Sequence, residues 1–246
     1  MFKEYGRLST LLYEHTKPIG TSLDGDVEYY FEKLKNVSGP ILEAGVGTGR
    51  MLIPLLKKGL DVDGVDLSNE MLVQCHTNLT KHEVTANIYQ QDLLKLAMPR
   101  KYQAIIMPTG SFCLLSRDSI KDILFNFFSH LEDGGKLIVD LEMPIGFTEE
   151  KISQSHFLLD QDKGIIMTNF NETIDWFNQK TVSLSKYELV ENGQVTQTEY
   201  SHFTMYWYGL NEFEMLLSLV GFVEIEREVG YGTDASEIIT YIATKK

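Results

Sequence analysis

The 246-residue chain contains few cysteines, and no uninterrupted hydrophobic run approaches the length of a membrane-spanning helix. Its two cysteines, Cys75 and Cys113, are too few for a disulfide framework or a zinc site of their own. We therefore expect both to be buried thiols in a reducing compartment. The opening residues MFKEYGRLSTLLYEH lack the apolar core of a signal peptide. These absences predict a globular, cytoplasmic protein without a metal site.

Basic residues are also scarce, since 22 Lys and Arg stand against 35 Asp and Glu and give a formal net charge of -13. Nucleic-acid phosphates require a basic surface, so this balance argues against DNA or RNA as a partner. An acidic surface is compatible with solubility or with a cationic small molecule. We expect a small-molecule partner, and neither nucleic acid nor membrane.

Strand and helix patterns alternate over the first 144 residues. The hydrophobic strand PILEAG precedes a helical pattern from Gly49 to Lys58, and the strand DVDGVD precedes a helix that starts at Ser68 or Asn69. The strands ANIYQQD, YQAIIMP and KLIVDLEMP follow, with the amphipathic helix RDSIKDILFNFFSHL ended by Gly134 and Gly135. Such alternation predicts an α/β fold, with a doubly wound, Rossmann-like sheet of about seven strands.

Residues 145–207 break this alternation with β-rich runs and an Asn-Gly hairpin signal in ENGQ. They predict a small antiparallel β insertion between the fifth strand and the last helix, LNEFEMLLSLVGF. After that helix, FVEIEREV and SEIITYIAT read as a closing hairpin. We expect an N-terminal helical lid over residues 1–36, a core over 37–144 and 208–246, and an insertion that serves as a substrate cap or homodimer surface.

The segment EAGVGTGR places glycines at positions 45, 47 and 49 directly after a hydrophobic strand. One interpretation is a tight turn without a ligand, in which glycine only supplies positive φ angles. A dinucleotide-binding G-x-G-x-x-G motif does not fit, because its third glycine would fall on Arg50 or Leu52. No P-loop lysine follows the glycines either. Glu43 disfavours a pyrophosphate here and favours a ligand that combines an adenosine end with positive charge.

The pattern Glu43-x-Gly45-x-Gly47-x-Gly49 resembles the first motif of the class I S-adenosylmethionine-dependent methyltransferases, acidic-x-Gly-x-Gly-x-Gly. The resemblance covers residues 1–144 and 208–246 and implies S-adenosylmethionine as the cofactor. It also implies that Asp66, at the end of DVDGVD, binds the ribose hydroxyls. From the residues alone, Asp63 is a competing acid, and Asp66 could instead cap the next helix.

The same resemblance assigns further cofactor contacts to Met71 near the adenine, to Asp92 and Leu93 at the adenine amino group, and to Leu67 and Pro108. Taken by themselves, Met71 could be a core residue and Asp92 a solvated loop acid. Many small-molecule members carry Asn-Ser-Phe and a nearby His after the fourth strand. This chain instead reads Gly110-Ser111-Phe112 with Leu114, so the resemblance supplies no catalytic base.

Candidate substrate contacts are aromatic or lie after the fourth strand: Tyr5, Tyr13, Ser111, Phe112, Tyr206 and Tyr208. In the run HFTMYWY, period two places Tyr206 and Tyr208 on one side of a strand with His202. Glu142 and His202 are the candidate general bases, with Asp140 behind them, although a histidine on a strand is also a common structural residue. Nine carboxylates against four lysines over residues 145–207 would tolerate an amine substrate.

These observations predict a methyltransferase acting on N or O of a small molecule. Two alternatives stay open at this point. One is an aminopropyltransferase that uses the decarboxylated donor, which the absence of acids in PTGSFCLLS disfavours. The other is a non-catalytic module that binds S-adenosylmethionine.

Overall fold

The computed structural model describes residues 4–232 and 237–246. The six α-helices of this part of the chain are α1 Arg7–Thr16, α2 Asp26–Leu34, α3 Leu52–Lys57, α4 Asn69–Lys81, α5 Ile120–His130 and α6 Leu210–Val220. The strands are β1 Ile41–Ala44, β2 Val62–Asp66, β3 Ile88–Gln90, β4 Tyr102–Met107, β5 Leu131–Leu141, β6 Ile152–Asp160, β7 Lys163–Asp175, β8 Lys180–Glu191, β9 Gln194–Tyr206, β10 Phe222–Val229 and β11 Ile239–Lys245. Ser236, the predicted first residue of the last strand, lies outside the described residues.

Seven strands form the main sheet in the order β10-β11-β5-β4-β1-β2-β3. β1 to β5 are parallel, whereas β11 pairs antiparallel with both β5 and β10. The chain runs outward from β1 through β2 to β3 and then returns to β4 on the other side of β1. Ligands of open α/β sheets bind at such a switch point, outside the carboxyl ends of the strands. The predicted doubly wound fold is confirmed.

Two helix boundaries differ from the sequence prediction. α3 starts at Leu52, because the residues after Gly49 (φ +85°) form a turn before the helix begins. α5 ends at His130 and not at the two glycines, so that prediction was wrong. Leu131 is fully buried and already pairs with Tyr102 of β4, which draws the chain into β5 before Gly134 is reached.

The insertion is a separate four-stranded meander in the order β6-β7-β8-β9, as predicted. Asn192 (φ +52°) and Gly193 (φ +77°) form the tight hairpin between β8 and β9. One face of this sheet packs against α1, where the buried cluster is Leu8, Leu12, Ile165, Tyr187 and Leu189.

The N-terminal end of α1 is bound by an acid of β9. Gly6 at the N-cap has no side chain to accept the free backbone N–H groups of the first turn. The Glu199 carboxylate accepts them instead, from Leu8 N at 2.9 Å and from Ser9 N at 3.1 Å. A carboxylate at this end of the helix also complements the helix dipole.

Contacts divide the chain into two compact units. The insertion unit combines the N-terminal residues up to Pro18 with Pro144–Tyr206, and the core unit combines Ile19–Met143 with Trp207–Lys246. The segment 1–36, predicted to act as one lid, is thus divided, because Val27, Tyr30 and Leu34 of α2 belong to the buried core of the main sheet. Within the described ranges, no helix has the length and apolarity needed to cross a bilayer.

Candidate active site

The glycine turn after β1 needs glycine for its backbone conformation. Gly45, Gly47 and Gly49 have φ angles of +74°, +54° and +85°, which side-chain-bearing residues rarely adopt. A Cβ on Gly45 would lie 3.7 Å from Cβ of Ser111, so the turn after β4 is its neighbour. Gly47 faces open space, with nothing within 4 Å of the position a Cβ would take. The backbone is therefore accessible at the switch point of the sheet.

Asp66 ends β2 beside this turn and is held in one orientation. Its Oδ2 accepts the N–H of Gly47 at 2.8 Å, and its Oδ1 accepts the N–H of Ser68 at 2.8 Å. Ser68, not Asp66, is the N-cap of α4, since its Oγ accepts the N–H of Met71. Burial raises the pKa of Asp66, and the backbone N–H donors oppose that shift.

The competing acid, Asp63, has a structural environment. It is buried within β2 and accepts hydrogen bonds from Nε of Arg100 at 2.8 Å, from the Tyr102 hydroxyl at 3.0 Å and from Nδ2 of Asn87 at 2.9 Å. Three side chains thus bind Asp63, and of the two acids only Asp66 stands at the carboxyl end of its strand.

Glu43 lies at the centre of a buried charge cluster. Glu43 is on β1, the strand that pairs with β2 on one side and β4 on the other. Its Oε2 atom is buried without a hydrogen-bond partner in the described structure. Burial raises the pKa of Glu43 well above its usual range, Arg50 opposes the shift, and Asp66 and Asp26 add to it. Arg50 itself forms a buried ion pair with Asp26 of α2 and donates to the carbonyl of Thr21 at 3.0 Å.

This cluster contains more acids than bases. The single cation, Arg50, is matched by Asp26, which leaves the carboxyl groups of Glu43 and Asp66 without a cation of their own among these four residues. Buried carboxylates without compensation are costly, and a positively charged ligand would relieve that cost.

Arg50 and Asp26 were not predicted as site residues. Arg50 follows the third glycine directly, so its position next to the glycine turn is the signal that the sequence offers. A buried arginine needs an acidic partner. The acid lies on another helix, however, and nothing local in the sequence marks it.

The remaining predicted cofactor residues follow β2 and β3. Leu67 is 65% exposed, whereas Met71 in the first turn of α4 is buried. Asp92 is exposed and caps the short 3₁₀ turn Leu93–Lys95 by accepting the N–H of Leu94 at 2.9 Å. The N–H of Gln91 donates to the carbonyl of Asp66 at 3.1 Å, so the ends of β2 and β3 are joined. These contacts are structural, and the cofactor roles of the four residues stay a prediction.

The turn after β4 brings a glycine against a carboxylate. Pro108 is buried, and Gly110 has a φ of +69°. A Cβ on Gly110 would lie 2.5 Å from Oε1 of Glu142, so Glu142 lies directly over this residue. Ser111 is half-buried in the same turn. Glu142 therefore stands at the same edge of the sheet as the glycine turn.

Phe112 and Tyr208 are core residues. The Phe112 ring is fully buried, 6.0 Å from the ring of Tyr208 and 5.2 Å from that of Phe213 on α6. The predicted placement of Tyr208 beside Tyr206 on one strand was wrong, because β9 ends at Tyr206 and Tyr208 is buried against α6. The chain leaves the sheet there to start α6, and the Glu212 carboxylate accepts the N–H of Gly209 at 2.9 Å.

The other predicted substrate residues belong to the insertion unit and lie on two faces of its sheet. The Tyr5 ring contacts those of Tyr13 and Phe203, at 6.5 and 5.4 Å between centroids. His202 pairs with Glu172 at 2.9 Å. Neighbouring strand residues point to opposite faces, so His202 and Tyr206 lie on the face opposite Phe203. The sheet therefore does not bring Tyr5 and Tyr13 together with His202 and Tyr206. The substrate and catalytic roles of these four residues stay predictions.

In the part of the chain that the structure describes, no group of three or more His, Cys, Asp or Glu side chains is placed to hold a metal ion.

Comparisons with known proteins agree with this geometry. The methyltransferase-domain family matches residues 41–135, which run from β1 through the glycine turn into β5. A putative methyltransferase of Geobacillus sp. is 22% identical over 210 residues, which is 83% of this chain and 84% of that protein. The glycine/sarcosine N-methyltransferase of Aphanothece halophytica is 32% identical over 117 residues, which is 46% of this chain and 44% of that protein.

A solved structure has the same fold over nearly the whole chain. The sugar N-methyltransferase KedS8 from Streptoalloteichus sp. superposes with a TM-score of 0.78 at 17% identity, covering 98% of this chain and 94% of that one. Both sheets, including the insertion, are thus part of a known architecture. The matched domain over residues 41–135, the fold and the ordered motifs together support a class I S-adenosylmethionine-dependent methyltransferase.

Proposed function

We propose that this methyltransferase transfers the methyl group of S-adenosylmethionine to the nitrogen of a small amine. The observation that carries the proposal is the excess of buried carboxyl groups over cations at the carboxyl ends of β1 and β2, beside a glycine turn with open space above it. A diphosphate would be repelled there, whereas a sulfonium and an ammonium group would be attracted.

The residues present fit this cofactor. The Oε2 atom of Glu43 is a buried acceptor that lacks a donor, which the ammonium group would supply. Each Asp66 oxygen accepts one backbone N–H and retains a further lone pair for a ribose hydroxyl. Leu67 and Met71 would flank the adenine, and Asp92 with the backbone of Leu93 would bind its amino group.

The bound cofactor supplies an activated methyl group, so the protein mainly aligns the acceptor, excludes water and removes a proton. The amine lone pair forms the new carbon–nitrogen bond as the carbon–sulfur bond breaks, and its electrons stay on sulfur. The nitrogen then carries a proton in excess. The carboxylate of Glu142 over Gly110 is the proposed acceptor of that proton, with Ser111 as a contact for the substrate.

The names of the relatives support nitrogen over oxygen. The relative with 32% identity is named a glycine/sarcosine N-methyltransferase, and KedS8 is named a sugar N-methyltransferase. A carboxylate base and an acidic surface both favour an amine, which is attracted in its protonated form and must release that proton to solvent before its lone pair can react.

We also propose that two copies associate through the face of the insertion sheet that α1 does not cover. Ile166, Phe170 and Leu184 carry apolar side chains on this face and are only half-buried, and Leu158 is 75% exposed. This face also carries polar residues such as His156, Lys186 and Glu188, and a sheet exposed to water needs only one apolar face, so the additional apolar side chains suit a partner surface. Light scattering should give a dimer for the wild type and a monomer for Phe170→Glu. The exposed control Phe177→Ser should remain a dimer.

The activity is tested by calorimetry followed by a transfer assay. S-adenosylhomocysteine should bind with a micromolar Kd. A panel of small amines, amino sugars, phenols and carboxylic acids should then yield methylated product for an amine. Glu142→Gln should lose transfer while keeping cofactor affinity, and the exposed control Glu132→Gln should match the wild type. Binding without transfer to any acceptor would indicate a non-catalytic module, and product only with the decarboxylated donor would indicate aminopropyl transfer.

A further inference from the structure

Asp140, near the end of β5, is a buried carboxylate that ties three segments together. Its Oδ2 accepts the backbone N–H of Thr109 at 2.7 Å and the Tyr231 hydroxyl at 2.5 Å. Its Oδ1 accepts the hydroxyl of Thr240 on β11 at 2.7 Å. The side chain is fully buried. One carboxylate therefore joins the turn after β4 to the C-terminal hairpin.

Both residues bound by Oδ2 have strained backbones. Thr109 has a φ of +54° and Tyr231 a φ of +52°, in the left-handed region that residues with a Cβ rarely occupy. Such conformations persist only where surrounding contacts enforce them, and they concentrate at functional sites. Oδ2 of Asp140 holds the backbone N–H of Thr109 directly, whereas it holds Tyr231 at the side-chain hydroxyl.

The strained turn lies where the acceptor site is proposed. Thr109 directly precedes Gly110, over which Glu142 lies, and Glu142 follows Asp140 by two positions on the same chain. We propose that Asp140 is a positioning residue. By holding Thr109 in its left-handed conformation, Asp140 fixes the position of the Gly110 backbone. That backbone in turn fixes the position of the Glu142 carboxylate that lies over it. The catalytic consequence rests on the proposed function, whereas the structural consequence does not.

A second connection reaches the cofactor side. The Tyr231 ring, whose hydroxyl donates to Asp140, lies 6.3 Å from the ring of Tyr30 on α2. α2 starts at Asp26, the partner of Arg50 in the charge cluster. The carboxylate thus links the turn beside the acceptor to the helix that buries the cofactor-side arginine.

Hydrogen–deuterium exchange of the wild type, Asp140→Ala, Asp140→Asn and Thr240→Val tests the structural part. Asp140→Ala should speed exchange of amides 109–112 at least ten-fold while β1 and β2 keep their protection. Asp140→Asn should stay within three-fold of the wild type, because its amide oxygen still accepts the Thr109 N–H and its Nδ2 can donate to Thr240. Thr240→Val should leave amides 109–112 unchanged, because it removes only the donor to Oδ1.

Kinetics test the catalytic part with an amine acceptor identified as above. Asp140→Ala should lower kcat at least ten-fold with the Kd of S-adenosylhomocysteine changed less than three-fold, and Asp140→Asn should restore kcat. If Asp140→Ala does not fold, Asp140→Ser replaces it, since the shorter side chain cannot reach the Thr109 N–H. The proposal is overturned if the folded variant keeps wild-type exchange at amides 109–112, or keeps the wild-type kcat. A wild type that does not bind S-adenosylhomocysteine or transfer a methyl group would instead contradict the proposed function.

Discussion

Oδ2 of Asp66 accepts the backbone N–H of Gly47 at 2.8 Å, and this hydrogen bond joins the end of β2 to the glycine turn after β1. Oδ1 is held equally firmly by the N–H of Ser68. The carboxylate is thus oriented by the backbone on both sides before any ligand arrives. An acceptor held in this way loses little conformational entropy when a hydroxyl binds to it.

Asp66→Ala should weaken S-adenosylhomocysteine binding about 10- to 100-fold. The reason is that a hydrogen bond to a charged acceptor contributes about 1.5–3 kcal/mol, and each factor of ten in Kd corresponds to about 1.4 kcal/mol. Asp66→Asn should bind poorly as well, because its amide group would face a backbone N–H on one side. Calorimetry with the exposed control Asp118→Ala measures the effect. An unchanged Kd of S-adenosylhomocysteine in folded Asp66→Ala would contradict the proposal that Asp66 binds the cofactor.

Local patterns were sufficient to predict the sheet and the glycine turn. Glycine spacing and strand endings are determined by the backbone, so the turn at Gly45 and the position of Asp66 could be read without a structure. The Asn192–Gly193 hairpin was predicted for the same reason.

Contacts between distant residues could not be predicted in this way. The pairing of Arg50 with Asp26 and of Asp140 with Thr109 depends on which elements become neighbours in the fold. The error at Tyr208 has a related cause. Alternation along a strand does not reveal where the strand ends, and burial against Phe213 took the ring away from the sheet.

Replacing Gly110 by alanine should lower kcat for methyl transfer strongly and lower the free energy of unfolding only modestly. Its φ of +69° makes any Cβ unfavourable by about 1–2 kcal/mol, and this Cβ would also collide with Glu142. Gly59→Ala is the matched control, because Gly59 has a φ of +86° but no atom within 4 Å of its Cβ position. Urea unfolding should show a loss of stability for both variants, larger for Gly110→Ala because the Glu142 side chain must also move, with kcat falling at least ten-fold only for Gly110→Ala. Equal kcat values for Gly110→Ala and Gly59→Ala would contradict a role of Glu142 in the reaction.

Breaking the buried ion pair should be far more costly than breaking an exposed one. The side chains of Arg50 and Asp26 are 4% and 0% exposed, so Arg50→Met would leave a buried carboxylate uncompensated, at a cost of about 3–5 kcal/mol. Arg227→Met, which breaks the half-exposed pair with Glu214, should cost about 0–1 kcal/mol. Urea unfolding at pH 7 measures both. The double variant Arg50→Met/Asp26→Asn should recover part of the loss.

The pH dependence of stability should contain a contribution from Asp140. Burial raises its pKa to about 6 from the ordinary 3.8, while hydrogen bonds from Tyr231, Thr240 and Thr109 oppose the shift. The native state therefore binds a proton more tightly than the unfolded chain does. This contribution is fully present below pH 3.8 and is lost as the pH rises through 6. Relative to Asp140→Asn, the wild type should lose up to about 3 kcal/mol between pH 4 and pH 7.

The variant is needed because other carboxyl groups titrate in the same range. The pKa values of Glu43 and Asp66 are also raised and act in the same direction, whereas the lowered pKa of Asp61 acts in the opposite one. Four other titratable groups lie around Asp140: the hydroxyls of Tyr29, Tyr30 and Tyr231 and the thiol of Cys113. Their pKa values are raised, so they stay neutral between pH 4 and 7. Urea unfolding of both proteins at half-unit pH intervals, with Asp118→Asn as an exposed control, isolates the difference. A wild-type-minus-variant difference that does not change with pH would mean that Asp140 is ionised to the same extent in the folded and unfolded chains.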